Sequence, residues 1–422
     1  MLSVTRNPRT RSLPFKLARR CLATETVHPS PPDSPLPPPP KPPSPKPRSA
    51  LYLRPRPAVA HKHHQALPTL PPSFGRNQLL PVSNTTRALL EDIVAQFDAP
   101  IRYAFAYGSG VFEQDGYFND TAPQDAPMLD FMFAVTHPAH FHSINMHQHP
   151  LHYPLHARLL GSSYVSRLEE LGPGVWFNAY VNMRGVRIKY GVTTIDNLCA
   201  DLLNWNTLYL AGRMHKPLRI IKDDARVRLT QQVNLTSAVR AALLTLPASF
   251  PERLLFERIA GISYAGDPRM LLPAENRGKV ANIVARQGPQ FKELYHRLAV
   301  GLPGVQWPAA GAEVSQDTAP HARAAHLRKL PANLLRGVRE AHARGDAATA
   351  EMFVKDESAY WLRLAGDEKL PGILTQEMSR IVRWPATVQS FKGIASAGVG
   401  KSVRYSAAKI GKWWAGKGTG SQ

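Results

Sequence analysis

The residues of this chain best suited to chemistry are a glycine–serine turn behind one apolar run and a single aspartate inside the next. The first run, Ile101 to Tyr107, ends at Gly108-Ser109-Gly110, and the second, Met128 to Val135, is apolar apart from Asp130. Glycines let successive backbone N–H groups turn toward an anion, and a serine hydroxyl adds one more donor, so the turn suits a phosphate. A carboxylate within an apolar strand is costly unless it is paired or holds a cation. A Gly-Ser turn between strands is also a common purely structural device, so both readings stand at this point.

Strand, Gly-Ser turn, spacer and strand with a lone Asp is how nucleotidyltransferases hold a nucleoside triphosphate and its magnesium. Competing readings fail on context. Gly108-Ser109-Gly110 lacks the G-x-S-x-G spacing of a hydrolase elbow, and Glu113 stands where the last glycine of G-x-G-x-x-G belongs. Gly400-Lys401-Ser402 ends like a phosphate-binding loop, but Ala395 replaces its first glycine and no strand precedes it. Seven histidines crowd 137–156 (His137, His140, His142, His147, His149, His152 and His156), which raises zinc. Prolines at 138, 150 and 154, and the lack of an i, i+4 His pair enclosing an acid, favour a polar loop beside the cleft.

The elements that must position these residues follow from periodicity. A helix is expected behind Ser83/Asn84, with Leu89, Leu90, Ile93, Val94 and Phe97 at helical spacing. Strands are expected at 101–107 and 128–135, and a hairpin at 175–192 turning at Met183-Arg184-Gly185. Helical patterns follow at 194–211, 234–246, 251–263 and 277–298. The stretch 303–350, rich in Ala, Gly, Pro and Arg, reads as a low-complexity insertion.

Charge sorts by region. The 422 residues carry a formal +21, of which residues 1–80 hold 13 basic and 2 acidic residues and residues 371–422 hold 8 and 1, leaving +3 for the middle. A nucleic-acid binder would spread its cations across the body, so none is expected as a partner. Residues 1–25 are Arg- and Ser-rich and almost free of acid, which reads as a mitochondrial transit peptide. Residues 26–82 form a Pro-rich linker, with 12 Pro between Pro29 and Pro47. Cys21 and Cys199 cannot supply a disulfide framework, and no run of about eighteen apolar residues offers a spanning helix. The end of the chain instead reads as a basic amphipathic helix for an anionic bilayer, with Lys392, Lys401, Arg404, Lys409, Lys412, Trp413 and Trp414 as lipid contacts.

Several segments, in order, resemble the mitochondrial translocator assembly and maintenance family. They include Tyr107-Gly-Ser-Gly-Val-Phe112, Leu129-Asp-Phe-Met-Phe-Ala-Val-Thr-His-Pro138 and His140-Phe-His-Ser-Ile-Asn145. Farther on, Ile188-Lys-Tyr-Gly-Val192, Asp201-Leu-Leu-Asn-Trp205, Leu208-Tyr-Leu-Ala-Gly-Arg-Met-His-Lys-Pro217, Ile262-Ser-Tyr-Ala-Gly-Asp-Pro-Arg-Met270 and Lys279-Val-Ala-Asn-Ile-Val284 continue it. The resemblance covers roughly 85–300 and resumes near 370–412.

It implies an α+β fold: a nucleotidyltransferase-type mixed sheet with flanking helices at 83–220, a smaller winged-helix-like helical domain at 221–302, and a C-terminal helical region at 351–422. The implied reaction joins CTP and phosphatidic acid to give CDP-diacylglycerol and pyrophosphate, a step toward cardiolipin, on the matrix face of the inner membrane. Gly108, Ser109, Gly110 and Lys216 would bind CTP, Ser109, Asp130 and Lys189 would serve catalysis, and Asp130 would hold Mg2+. Superfamily members usually carry a second acid two positions along that strand, where this chain has Met132. Asp201 or Glu113 could replace it, or one metal could suffice. Arg213 and the Asp267/Arg269 turn are equally open to structural ion pairing. A non-catalytic assembly factor and an enzyme acting on RNA ends are the alternative whole-chain readings.

Overall fold

The structure, a computed structural model, describes residues 70–112, 128–271, 278–345, 353 and 355–397. Alternation decides its principal sheet. In β1 (Tyr103–Tyr107) and β2 (Leu129–Val135), successive side chains go to opposite faces. Tyr103, Phe105, Met132 and Ala134 enter one core cluster, while Ala104, Ala106, Phe131 and Phe133 enter another. Both faces are covered, so the strands read as continuous apolar runs. β3 (Trp176–Met183) and β4 (Val186–Thr194) form the expected hairpin through Arg184 and Gly185, at φ 51° and 77°. Two such residues give the turn whose twist matches the flanking strands. With β5 (Leu218–Lys222) the order is β3-β4-β2-β1-β5, with β2 parallel to β4 and the other pairs antiparallel.

Helix α1 (Asn84–Ala95) starts where expected, because the Ser83 hydroxyl accepts from the Thr86 N–H. Its Leu90 and Ile93 cover one sheet face. The four-residue α2 (Ser109–Phe112) follows β1; α3 (Pro138–Gln148) and α4 (Leu155–Glu170) carry the histidine-rich stretch. Among the described residues, no three His, Cys, Asp or Glu side chains gather as metal ligands. Helix α5 (Ile195–Asn204) stops seven residues short of the expected 211, with Trp205 at φ 53°. Helix α6 (Ala225–Leu243) begins well before the expected 234, capped by Asp224. Its first turns carry Thr230, Gln231 and Asn234, polar but buried, which hides the helical period.

Helices α6, α7 (Glu252–Gly261) and α8 (Lys279–Val300) pack beside a small antiparallel sheet, β6 (Ser249–Pro251), β7 (Val305–Gln306) and β8 (Glu313–Gln316), in the order β6-β8-β7. One apolar cluster runs from Tyr103 and Phe105 of the principal sheet through Leu235, Phe256 and Phe291 to Val314. The helical region therefore shares the sheet's core.

The expected insertion at 303–350 is corrected. Beyond β7 and β8 it contains α9 (Pro320–Leu327) and α10 (Ala332–Gly345), and Val314, Leu327, Leu334 and Val338 are fully buried. Residues 346–350 lie outside the described residues. Helices α11 (Glu357–Ala365) and α12 (Leu370–Ala397) complete the chain that is described. The lipid role expected of Lys392 is also corrected. Lys392 is buried, and its ammonium donates to the carbonyls of Glu169 (3.0 Å) and Leu171 (2.8 Å), pinning α12 to the end of α4. The other expected lipid contacts, Lys401, Arg404, Lys409, Lys412, Trp413 and Trp414, lie outside the described residues, as do the transit peptide and residues 26–69 of the Pro-rich linker. Among the described residues, no helix is long and apolar enough to cross a membrane.

Candidate active site

Strand pairing brings three of the singled-out positions together. Tyr107 stands opposite Asp130, which stands opposite Lys189 on the far side. In-register neighbours across a sheet share a face, so three distant residues become one row. Lys189 Nζ lies 3.7 Å from Asp130 Oδ1 and 4.5 Å from the Phe177 ring centre. Burial opposes the Lys189 charge, but Asp130, with Tyr107 and Tyr209, outweighs it and holds the ammonium above its ordinary range. Asp130 keeps a partly exposed carboxylate, 28% accessible. Gly108, at φ 93°, stands over it: a Cβ there would lie 3.5 Å from Asp130 Oδ2. Glycine supplies both the backbone conformation and the opening. Met132, the position of the absent second acid, is fully buried and packed where a Cβ at Gly191 would meet its Sδ at 2.9 Å. A carboxylate at that point would have no access to water.

The row forms one wall of a cavity of about 500 Å³, within the range that accommodates a small ligand. The 205–217 loop contributes Thr207, Tyr209, Arg213 and Lys216; the segment after α7 adds Ser263, Tyr264, Asp267 and Arg269. Lys279, Asn282 and Arg286 reach in from α8, and Val382 and Ala386 from α12. Among the described residues, six cationic side chains thus face the cavity against two carboxylates, Asp130 and Asp267. Asp267 is already engaged: Arg269 donates to it through Nε (3.0 Å) and Nη2 (2.6 Å), which is the ion pair the sequence allowed. Burial disfavours that carboxylate's charge, yet the Arg269 contacts prevail and hold Asp267 below its usual range.

Lys216 is the most unusual cation. Its ammonium donates to Gly212 O (2.6 Å) and Ser263 Oγ (2.8 Å) and lies 5.0 Å from the Tyr264 ring centre. Burial first, then the nearby charges of Arg213 and Lys279, push Lys216 well below the ordinary lysine range. The Arg213 guanidinium lies 3.6 Å from the Tyr209 ring centre and donates to the Tyr209 carbonyl. A wall with more cations than carboxylates among its described residues suits a polyanion.

Asp201 does not belong to the cavity, and its expected metal role is corrected. It is 2% exposed, and its carboxylate accepts from the backbone N–H groups of Thr207, Leu208, Leu210 and Ala211 and from the Thr207 hydroxyl. Those bonds end α5 early, because they draw the next amides away from the helix. They also shape the loop that delivers Tyr209, Arg213 and Lys216. Gly110 is buried within α2 and is not among the residues that line the cavity. Ser109 opens α2, but its side chain, like Glu113, lies outside what is described.

Sequence reasoning missed Tyr264 as a cavity residue, together with Asn282, Arg286, Val382 and Ala386. The α8 residues carried a signal, since Lys279, Asn282 and Arg286 recur at three- and four-residue steps and form one polar stripe. Val382 and Ala386 carried none, being ordinary apolar positions of a helix.

A mixed sheet that sets a glycine turn beside a carboxylate, at the wall of a cation-lined cavity, is nucleotidyltransferase architecture. The family model described as mitochondrial phosphatidate cytidylyltransferase matches residues 90–412. Relatives bearing that name include a Xenopus laevis protein, 38% identical over 79% of this chain and 96% of its own length. One from Saccharomyces cerevisiae is 43% identical over 54% of this chain and 59% of its own. One from Drosophila melanogaster is 38% identical over 76% and 97%. The chain belongs to the mitochondrial phosphatidate cytidylyltransferase family, and it is an enzyme of the nucleotidyltransferase class.

Proposed function

We propose that the chain makes CDP-diacylglycerol and pyrophosphate from CTP and phosphatidic acid, a step toward cardiolipin, at the matrix face of the mitochondrial inner membrane. The observation that carries this reading is the cavity's excess of cations around one open carboxylate, in a member of this family. Both substrates are polyanions, and six cations suit that combined charge. Neutral body charge and this concentrated pocket disfavour an RNA-end enzyme, and the intact Asp130 row disfavours a non-catalytic assembly factor.

The chemistry asks for charge management. An oxygen of the lipid phosphate attacks the α-phosphorus of CTP, and the bond to the pyrophosphate oxygen breaks. That nucleophile is already anionic near neutral pH, so no strong general base is required. The work left to the protein is in-line positioning and electrostatic neutralisation. Burial and the nearby Arg213 and Lys279 depress Lys216, and an entering phosphate would offset those neighbouring positive charges. Arg213, braced on Tyr209, and Lys189, braced on Asp130 and Phe177, are held in place before substrate arrives. Such preorganised charges act without reorganisation cost at the moment of reaction.

The donor set fits one Mg2+ bound largely by substrate phosphates and water, with Asp130 as its protein anchor. Among the described residues no multi-carboxylate cage is present. When bound, Mg2+ supplies a divalent charge beside the phosphates. The N-terminal 25 residues would act as an import signal, and the tail beyond 397 as the lipid-contact segment.

The discriminating test offers purified protein each of the four nucleoside triphosphates with magnesium, phosphatidate vesicles or an RNA 3′ end. CTP and phosphatidate are expected to yield CDP-diacylglycerol and pyrophosphate in equal amounts. Preferential extension of RNA would overturn the reading.

A further inference from the structure

We infer that the outer face of the segment 150–160 is a bilayer-docking surface, and that the membrane it meets is anionic. The segment exposes four leucines: Leu151 (78%) in the 3-10 turn Pro150–His152, then Leu155 (62%), Leu159 (76%) and Leu160 (60%) on α4. Leu155 and Leu159 stand one helical turn apart, and Leu160 sits beside the helix break at Gly161, whose φ is 80°. The core of α4 is satisfied elsewhere, since Ala157 and Val165 pack with Tyr153 and Trp176 on the inner side. Isolated exposed leucines need no explanation, but four within ten residues form the kind of patch that marks an interaction site.

Charge selects the occupant. Between Asp130 and Glu169 there is no acidic residue, whereas Arg158 and Arg167 are both exposed on α4. Leucines interleaved with arginine and free of acid match an anionic lipid surface, with apolar side chains entering the headgroup boundary and guanidiniums reaching phosphates. Position agrees. The far end of α4 is tied by Lys392 to α12, whose Val382 and Ala386 line the cavity. The chain beyond α12 continues into the basic residues Lys401, Arg404, Lys409 and Lys412. The end of the helix that carries the docking face is therefore tied to the helix that lines the catalytic cavity. The proposal takes the lipid substrate of the preceding section as the reason for a bilayer, and it assigns docking to a surface separate from the C-terminal tail.

The test uses the full chain carrying Leu151→Ser, Leu155→Ser, Leu159→Ser and Leu160→Ser together, and separately Arg158→Glu with Arg167→Glu. Binding is measured by co-sedimentation with phosphatidylcholine vesicles with and without phosphatidate. Turnover is measured on vesicle phosphatidate and on short-chain phosphatidate below its micelle concentration. The serine variant is expected to bind phosphatidate-containing vesicles at least about tenfold more weakly, and to lose vesicle turnover in proportion, with short-chain turnover and thermal melting unchanged. The arginine variant should lose binding only to the anionic vesicles. Unchanged vesicle binding by the serine variant would overturn the proposal. A change from dimer to monomer with vesicle binding intact would also overturn it, giving the face to a second copy. Vesicle binding is read without turnover, so a chain that docked yet made no CDP-diacylglycerol would refute the functional reading and leave this one standing.

Discussion

Asp130 and Asp201 are both aspartates that the sequence offered as metal ligands, and their surroundings separate them. Asp130 stands at the cavity wall with Gly108 clearing the space above it and one ammonium 3.7 Å away. Asp201 is sunk beneath the neighbouring loop and accepts from four backbone amides and a hydroxyl. The difference is one of spare capacity. A carboxylate whose lone pairs are consumed by its own chain stabilises a loop, whereas one left open beside cations can take a ligand. Two lysines differ in where they sit. Lys392 donates to two carbonyls in a buried contact, and burial pushes it down to about 8; Lys216 also has two acceptors, Gly212 O and Ser263 Oγ, but it lines the cavity, where burial and neighbouring cations depress it.

Substitutions can break or sharpen these contrasts. The largest expected stability effect is from Asp201→Asn, which puts an amide group before backbone donors and should cost about 2–3 kcal/mol in urea unfolding. Its remaining turnover should keep the parent's magnesium midpoint; a shifted midpoint with unchanged stability would restore Asp201 as a ligand. Lys216→Met should raise the KM for CTP about tenfold, equivalent to about 1.4 kcal/mol, in protein shown by thermal melting to be folded. An unchanged KM would remove Lys216 from the receptor. Lys392→Met strands two carbonyls and should cost about 1–2 kcal/mol, with vesicle binding unaffected. Intact stability with weakened vesicle binding would return Lys392 to the lipid role expected from sequence.

The smallest effect concerns His215. Burial and the adjacent Lys216 push it down to about 3, and its Nε2 donates to Asn234 Oδ1 at 3.0 Å. Below pH 6.5 the unfolded chain takes up a proton there that the folded chain refuses, so stability falls as pH falls, down to about 3. Between pH 7 and 6 this contributes about 0.7 kcal/mol, and His215→Gln should remove that part of the slope. A slope identical in both proteins would show that His215 takes up its proton at the same pH in the folded and unfolded chain.

What the sequence disclosed was local. The apolar runs of β1 and β2, the Arg184-Gly185 turn and the Ser83 cap are written in neighbouring residues, so the sheet and the Asp130 and Lys189 positions were legible. Burial set by distant partners was not. The 303–345 stretch looked like low complexity because it is rich in Ala, Gly, Pro and Arg, and only the assembled core shows Val314, Leu334 and Val338 buried. Asp201 and Lys392 looked functional for the converse reason: the backbone groups that satisfy them are brought in by loop and helix packing, and no residue-type pattern records a carbonyl or an amide. The cavity's fourth wall, Val382 and Ala386, arrives from more than 150 residues beyond β4, beyond the reach of any motif.

The central claim is that the row around Asp130 is where cytidylyl transfer occurs. The direct measurement compares parent and Asp130→Asn proteins for conversion of labelled CTP and phosphatidate into CDP-diacylglycerol with magnesium present, after matched thermal melts. The expected result is a fall in turnover of about a hundredfold or more with the fold intact. A folded Asp130→Asn protein that turns over at the parent's rate would contradict the account.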